Sequence, residues 1–283
     1  MQLLILGLIS VIGFEHLNVD PVAHRVGLGY GRFGDGYSIY YNPAGLALAS
    51  SPRYCASYLY YIGDTHFGYA GYENNQLGFA LKYFNGGRIK KTDEYGNEYG
   101  SFGVNFIDFY FGKGLFIGGI GFGAAIKGVY ANIDTLYSIG LGIDIGLLYF
   151  LEDPDIQFGL VVRNIGIGVK PYIEESEIFP YELGIGATKL FDFGWLGFDL
   201  VKPALSNLGL RVGWGYYLVN NLELKFSYNS ILSSIRSGNN GLDFLAGITA
   251  GVAVKVRTLT IDYNYSPYFD LGGCHRLSIS IGG

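Results

Sequence analysis

Residues 138–149 read Ser-Ile-Gly-Leu-Gly-Ile-Asp-Ile-Gly-Leu-Leu-Tyr. One parity carries Ile139, Leu141, Ile143, Ile145, Leu147 and Tyr149, while the other carries Ser138, Gly140, Gly142, Asp144, Gly146 and Leu148. Successive side chains of a strand point to opposite faces, so this is a strand with one apolar face and one small or polar face. The apolar face persists for about ten residues, the length a tilted strand needs to cross the hydrocarbon of a bilayer. The same alternation recurs from about Tyr54 to the end of the chain. The reading is an all-β fold, a transmembrane antiparallel β-barrel.

Composition agrees. Charged residues make up 15% of the 283, against about 25% in ordinary soluble domains, and there are 25 Tyr, 20 Phe and 45 Gly. Such Gly and Tyr content with one Met does not suit a helical bundle. No internal apolar run approaches the roughly 18 to 20 residues of a membrane helix, so any crossing must be made by strands. A net charge of -5 gives no reason to expect a nucleic-acid partner.

Fourteen strand candidates follow, near residues 54–62, 66–72, 77–84, 102–112, 116–130, 138–150, 156–163, 181–190, 195–201, 208–218, 222–229, 243–257, 259–265 and 275–281. An even count is what a bacterial single-chain barrel requires. Alternate connections are short: 73–75, 113–115, 152–155, 191–194, 219–221 and a bend at Thr258. Connections 85–101, 164–180, 230–242 and 266–274 are longer. Short turns on one rim and long loops on the other predict an outer membrane of the Gram-negative kind, with long loops extracellular and short turns periplasmic. In the fourth strand Phe102, Val104 and Phe106 change parity with Ile107, Phe109 and Phe111, which predicts a bulge.

By parity, Lys82, Lys127, Asp144, Arg163, Glu182, Asp199, Arg211, Glu223, Lys225, Lys255, Asp262 and Arg276 fall on the inner faces. Charges of both signs predict a lumen laced with ion pairs and water. Frequent inward Gly, such as Gly140, Gly142, Gly146, Gly213 and Gly215, leaves room inside for something else.

Before the barrel, residues 1–17 are expected to be a signal peptide with a short N-terminus, since 3–14 form a short apolar core. Residues 18–51 do not alternate, and 52–283 would be the barrel. Within the middle segment, Asn42-Pro43-Ala44-Gly45-Leu46-Ala47 reads as a capped turn opening a short helical stretch, with Asn as the cap and Pro at the first helical position. A Gly-rich segment running into Tyr41-Asn42-Pro43-Ala44-Gly45-Leu46-Ala47 ahead of a barrel resembles the PorV/PorQ branch of the FadL-like outer-membrane proteins. Asp262-Tyr263-Asn264-Tyr265, Leu271-Gly272 and His275-Arg276-Leu277-Ser278-Ile279-Ser280 resemble that branch's closing strand pair. The end, Ile281-Gly282-Gly283, departs from it by lacking a terminal aromatic.

The resemblance implies a barrel of about fourteen strands whose N-terminal segment plugs the lumen, with Asn42, Pro43, Ala44, Gly45 and Leu46 as the plug motif. Two functions are open. One is an accessory or shuttle component of type IX-like protein secretion, engaging secreted proteins or secretion-system components through rim and lumen. The other is a FadL-like channel for long-chain fatty acids or other hydrophobic small molecules held in the lumen. Membrane lipids and lipopolysaccharide are the expected surroundings.

Chemistry-bearing motifs are weak. Gly29 to Gly34 match G-x-G-x-x-G, but no strand precedes and no amphipathic helix follows. Glu174, Glu175 and Glu177 read as a solvated acidic loop, and His24, His66 and His275 lack ligand spacing. Ser278 and Ser280 lie on the inner register, away from any outward triad. No enzyme activity, metal or cofactor is expected.

Overall fold

In a computed structural model, which describes residues 13–232 and 245–282, every strand is hydrogen-bonded on both sides and the ring closes. The strands are β1 Arg53–Tyr60, β2 His66–Asn74, β3 Leu77–Thr92, β4 Glu98–Ile117, β5 Ile120–Ile133, β6 Leu136–Leu151 and β7 Ile156–Lys170. They continue as β8 Glu182–Phe191, β9 Gly194–Pro203, β10 Gly209–Val219, β11 Leu222–Asn229, β12 Ile248–Val256, β13 Leu259–Pro267 and β14 Gly273–Ile281. All pairs are antiparallel between neighbours, and β1 meets β14 from Tyr54 opposite Ile281 to Tyr60 opposite His275. Closure leaves no unpaired edge, which is the condition for crossing hydrocarbon with strands. Among the described residues no helix is long and apolar enough to cross a membrane.

The parity of β6 sorts its residues as the sequence implies. Ile139, Leu141, Ile143, Ile145 and Tyr149 are exposed on the outer wall, while Ser138, Asp144 and Leu148 are buried inside. Neighbouring outer faces carry Phe79, Leu81, Phe109, Phe111 and Ile126, so an apolar band surrounds the ring.

The irregularities fall elsewhere than expected. β4 has no bulge where the parity changes: it pairs with β5 without a break from Val104 opposite Ile133 to Ile117 opposite Ile120, and an extra β4 residue against β3 lies farther out, between Glu98 and Gly100. Phe106 simply takes an inner position, its ring 4.6 Å from that of His16. One extra residue sits on β3, between Asn85 and Arg88, where Gly87 has φ 70°. A second sits on β7, where Asn164 has φ 56° and the register against β6 shifts between Ile143 and Ile145. On β7 the outward residues change parity across the bulge, from Phe158 and Leu160 to Ile165, Ile167 and Val169.

The turn expected at 113–115 lies instead at Gly118 and Gly119, both at positive φ, as a two-residue hairpin demands. The expected loop 85–101 is mostly strand, because β3 and β4 run on as a hairpin to Thr92 and Glu98. Likewise β7 runs on to Lys170, shortening the loop expected at 164–180, and β12 begins at Ile248. Of the expected signal peptide and short N-terminus at 1–17, residues 1–12 lie outside the described residues, as does most of loop 230–242.

Candidate functional site

The N-terminal segment bonds to inner-wall side chains on most sides of the ring. Backbone N–H groups of Ala23, Gly29, Phe33 and Ile39 donate to Ser278 on β14, Asp199 on β9, Gln157 on β7 and Glu73 on β2. His16 bonds Asp108 on β4 at 2.8 Å, and Lys82 on β3 donates to the carbonyls of His16 and Val19 at 2.6 and 2.8 Å. The segment has almost no regular structure to pair its own backbone: it holds only short turns, with α1 spanning Ser38–Tyr41 and a 3-10 turn over Pro43–Leu48. Its backbone groups must therefore be paired by the wall. The polar inner residues of the strands do that.

The NPAGL residues sit at the tightest part of this contact. Asn42 Oδ1 accepts from the Ala44 N–H, capping the 3-10 turn with Pro43 at its start. Its Nδ2 faces three carbonyls, of Tyr30, Leu147 on β6 and Leu160 on β7, at 3.1 to 3.3 Å. Ala44 and Leu46 are fully buried, Leu46 within a cluster containing Ile39, Tyr40 and Tyr110. The wall beneath is glycine for a steric reason. A Cβ on Gly146 would lie 1.8 Å from Asn42 Oδ1, one on Gly159 1.6 Å from the Tyr30 carbonyl oxygen, and one on Gly123 2.2 Å from the Pro43 backbone. At Gly45 an added Cβ would meet Ser38 and Phe33.

The inner charges form clusters rather than an even lining. Lys127 pairs with Asp144 at 2.8 Å and donates to Asn164 Oδ1, whose own N–H donates to Asp144. Lys225 pairs with Asp262, and Asp262 accepts from His24 at 2.8 Å. Asp35 joins His24 to Arg25, whose guanidinium is fully buried and reaches it at 2.5 and 2.6 Å. Burial alone would raise the Asp35 carboxyl, but Arg25 beside it, with His24, holds it well below the usual carboxylate range. Glu182 accepts from Tyr30 Oη and is shared by Arg163 and Arg211 at 3.4 and 3.5 Å.

Arg276 donates to the Asp20 carbonyl and to Ser266 Oγ. Glu223 accepts from Trp195 Nε1, and Lys225 lies 3.5 Å from it. Lys255 is exposed near the turn before β13.

Sequence reasoning did not single out Arg25, Asp35, Asp108, Glu73, Tyr30 or Asn164. Asp108 and Asn164 sit beside the parity change of β4 and the bulge of β7, Glu73 falls at the end of β2 in a stretch that reads as a turn, and Arg25, Asp35 and Tyr30 lie where no alternation exists to orient them. His24 lacks ligand spacing in the sequence, yet it sits between Asp262 and Asp35 at the centre of a cluster. Glu177 is buried against Ser138 while Glu174 and Glu175 stay exposed. Among the described residues no group of His, Cys, Asp and Glu is arranged to hold a metal.

Two cavities line the same sector of wall, β11 to β14. One, of about 140 Å³ toward the loop-side rim, is bordered by Tyr61, Arg163, Arg211, Asn229, Tyr268 and Arg276. The other, of about 500 Å³ toward the turn-side rim, is bordered by Arg32, Asp35, Asn220, Glu223, Lys255 and Ser280. Between them lies the turn at Ala23 to Val26, held by Ser278, Asp262, Lys225, Asn264 and Ser227. A third depression, about 930 Å³, is apolar and lies on the outer wall across β2 to β7, lined by Phe79, Phe109, Phe111, Ile126 and Ile143.

A closed fourteen-stranded antiparallel barrel with an apolar outer band and a polar inner face is an outer-membrane β-barrel. Among solved structures, the chain is similar to the Pseudomonas putida toluene transporter TodX, over 96% of this chain and 98% of that one, with TM-score 0.60 and 12% identity. A second TodX structure aligns over 94% and 99%, also at TM-score 0.60 and 12% identity. The TodX monoaromatic hydrocarbon channel deltaS2 mutant aligns over 90% and 94%, with TM-score 0.51 and 10% identity. At these identities the likeness is one of fold, and it extends over nearly the whole of each chain. No family model matches the sequence, and no curated protein matches it.

Proposed function

We propose that this chain is a FadL-like outer-membrane channel for small, largely hydrophobic molecules, with residues 18–51 as the stopper of its lumen and residues 52–283 as the wall. The observation that carries the reading is the stacking of two cavities along β11 to β14 with a single turn, at His24, between them. A route of that kind needs only a local rearrangement to become continuous. The TodX fold supports the same reading, those proteins being a toluene transporter and a monoaromatic hydrocarbon channel. The secretion role rests on the YNPAGLA and closing-strand resemblance alone, and no similar structure supports it.

In this reading Asn42, Pro43, Ala44, Gly45 and Leu46 anchor the stopper against the glycine-lined wall, and the inner charges hold its backbone. The longer loops face outward and the short turns face the periplasm. The test is uptake of radiolabelled toluene by intact cells of a strain lacking its own hydrocarbon channels. Cells carrying the inserted barrel should take up toluene several-fold faster than vector controls. Equal rates, with insertion verified by surface labelling, would sink the channel reading.

A further inference from the structure

The loop-side cavity offers charged groups that a plain hydrocarbon would not use, and we infer that it also binds a small carboxylate, of the size of a single-ring aromatic acid or smaller, through Arg163, Arg211 and Arg276. This deepens the channel reading and rests on it, because the cavity lies in the lumen through which the solute would move.

Three observations carry it. The first is unspent hydrogen-bonding capacity. Arg163 is only 5% exposed, yet its Nε and Nη2 have no partner among the described residues, and Nε of Arg211 is equally unpaired. A guanidinium presents its N–H groups as a rigid fork matched to a planar oxyanion, and burying one without acceptors is costly. The Arg163 bonds that do exist are long: Nη1 reaches Tyr30 Oη and Glu182 Oε1 at 3.4 Å each. Arg211 reaches the same two residues at 3.4 and 3.5 Å. These lie beyond the usual range for charge-assisted bonds.

The second is the balance of charge. Among the described residues lining the cavity, three guanidiniums face two carboxylates, Glu182 and Asp20. Glu182 is divided between two arginines and Tyr30, while Asp20 accepts from Tyr41 Oη through both oxygens and from the Val22 N–H. Arg276 bonds neutral oxygens, the Asp20 carbonyl, Ser266 Oγ and Asn264 Oδ1. One added negative charge would neutralise the group.

The third is size and wall. The cavity is about 140 Å³, of the order of the roughly 150 Å³ cavity that takes up one benzene, and too small for a long acyl chain. Tyr40, Tyr41, Tyr61 and Tyr268 border the space, and the Arg163 guanidinium lies over the Tyr40 ring at 5.0 Å. A flat ring carrying one carboxylate matches both the rings and the forks.

The experiment is calorimetric titration of the purified full chain in detergent with sodium benzoate, with neutral benzamide and with inorganic phosphate. Benzoate should bind at least tenfold more tightly than benzamide, and more tightly than phosphate. Arg163→Gln, Arg211→Gln and Arg276→Gln should each weaken benzoate about 10- to 100-fold, the scale of a lost charge-assisted hydrogen bond, while leaving benzamide unchanged.

If Arg163→Gln does not insert, Arg276→Gln near the loop-side rim carries the test alone. Equal binding of benzoate and benzamide, tighter binding of phosphate, or benzoate affinity unchanged in the arginine variants would each overturn the inference. Toluene uptake by the same cells separates it from the channel reading. Uptake without benzoate binding removes the carboxylate site only. Benzoate binding without uptake of either solute removes the channel.

Discussion

Asn42 shows how much one side chain can hold when its surroundings are backbone. Its amide caps one turn and faces three carbonyls on three different stretches of chain. Asn42→Ala should leave those carbonyls without that donor, at about 1 to 3 kcal/mol for such a loss. Limited proteolysis should then cut residues 18–51 faster than in the parent, with the heat-resistant mobility of the barrel on gels unchanged. A parent-like cleavage rate would show that the cap is dispensable. Gly159→Val should act more strongly, since its side chain would have to displace the Tyr30 carbonyl.

The Asp35 and Arg25 pair adds a pH dependence. The Asp35 carboxyl is held below its ordinary value, so its contribution is present above the unfolded pKa, near pH 4, and is lost on acidification through the folded value. Unfolding temperature should therefore begin to fall as the pH drops below about 4 and go on falling with further acidification. Asp35→Asn should flatten that part of the profile while lowering stability at neutral pH, because it leaves Arg25 buried and unpaired, a loss of about 3 to 5 kcal/mol. A profile of unchanged slope in Asp35→Asn would assign the acid sensitivity to other carboxylates.

Strands were legible because a membrane wall imposes the same demand at every second residue: Ile139, Leu141, Ile143 and Ile145 have one solvent, Ser138 and Asp144 another. What alternation cannot carry is a segment with no period. The β7 bulge turns both Arg163 and Asn164 inward, so that one strand supplies the cavity its arginine and the Lys127–Asp144 cluster its amide. Its trace in the sequence is the change of outward parity from Phe158 and Leu160 to Ile165 and Ile167, together with an Asn at the position of positive φ. For the same reason the inner charges on strands were readable by parity, while His24, Arg25 and Asp35, on aperiodic chain, were not.

Asn164→Gly keeps the backbone conformation and loses the side-chain bonds, whereas Asn164→Val loses both, β-branched residues being strained at positive φ. The unfolding temperature should fall in the order parent, Gly, Val. A Val variant as stable as the Gly variant would mean that the bulge is not imposed by residue 164.

At the scale of the molecule, wall and N-terminal segment are complementary in kind: one pairs its strands with one another around the ring, the other depends on the wall to pair its own backbone. The segment can therefore shift without unzipping the barrel, and any conduction past it must break bonds such as the one from the Ala23 N–H to Ser278 Oγ, 2.7 Å long. Adding the covalent bonds at either end puts the two Cα atoms within about 7 Å, close enough for a disulfide. An Ala23→Cys, Ser278→Cys pair, with Cys55 and Cys274 replaced by Ser, would tether the turn at His24 to β14. If the turn must leave the wall to join the two cavities, oxidised cells should lose toluene uptake and regain it with a membrane-permeant reductant. The single-cysteine variants should be insensitive to both treatments. Undiminished uptake in the fully cross-linked protein, with cross-linking verified by mass, would mean that solute passes elsewhere and that residues 18–51 are a fixed part of the lumen.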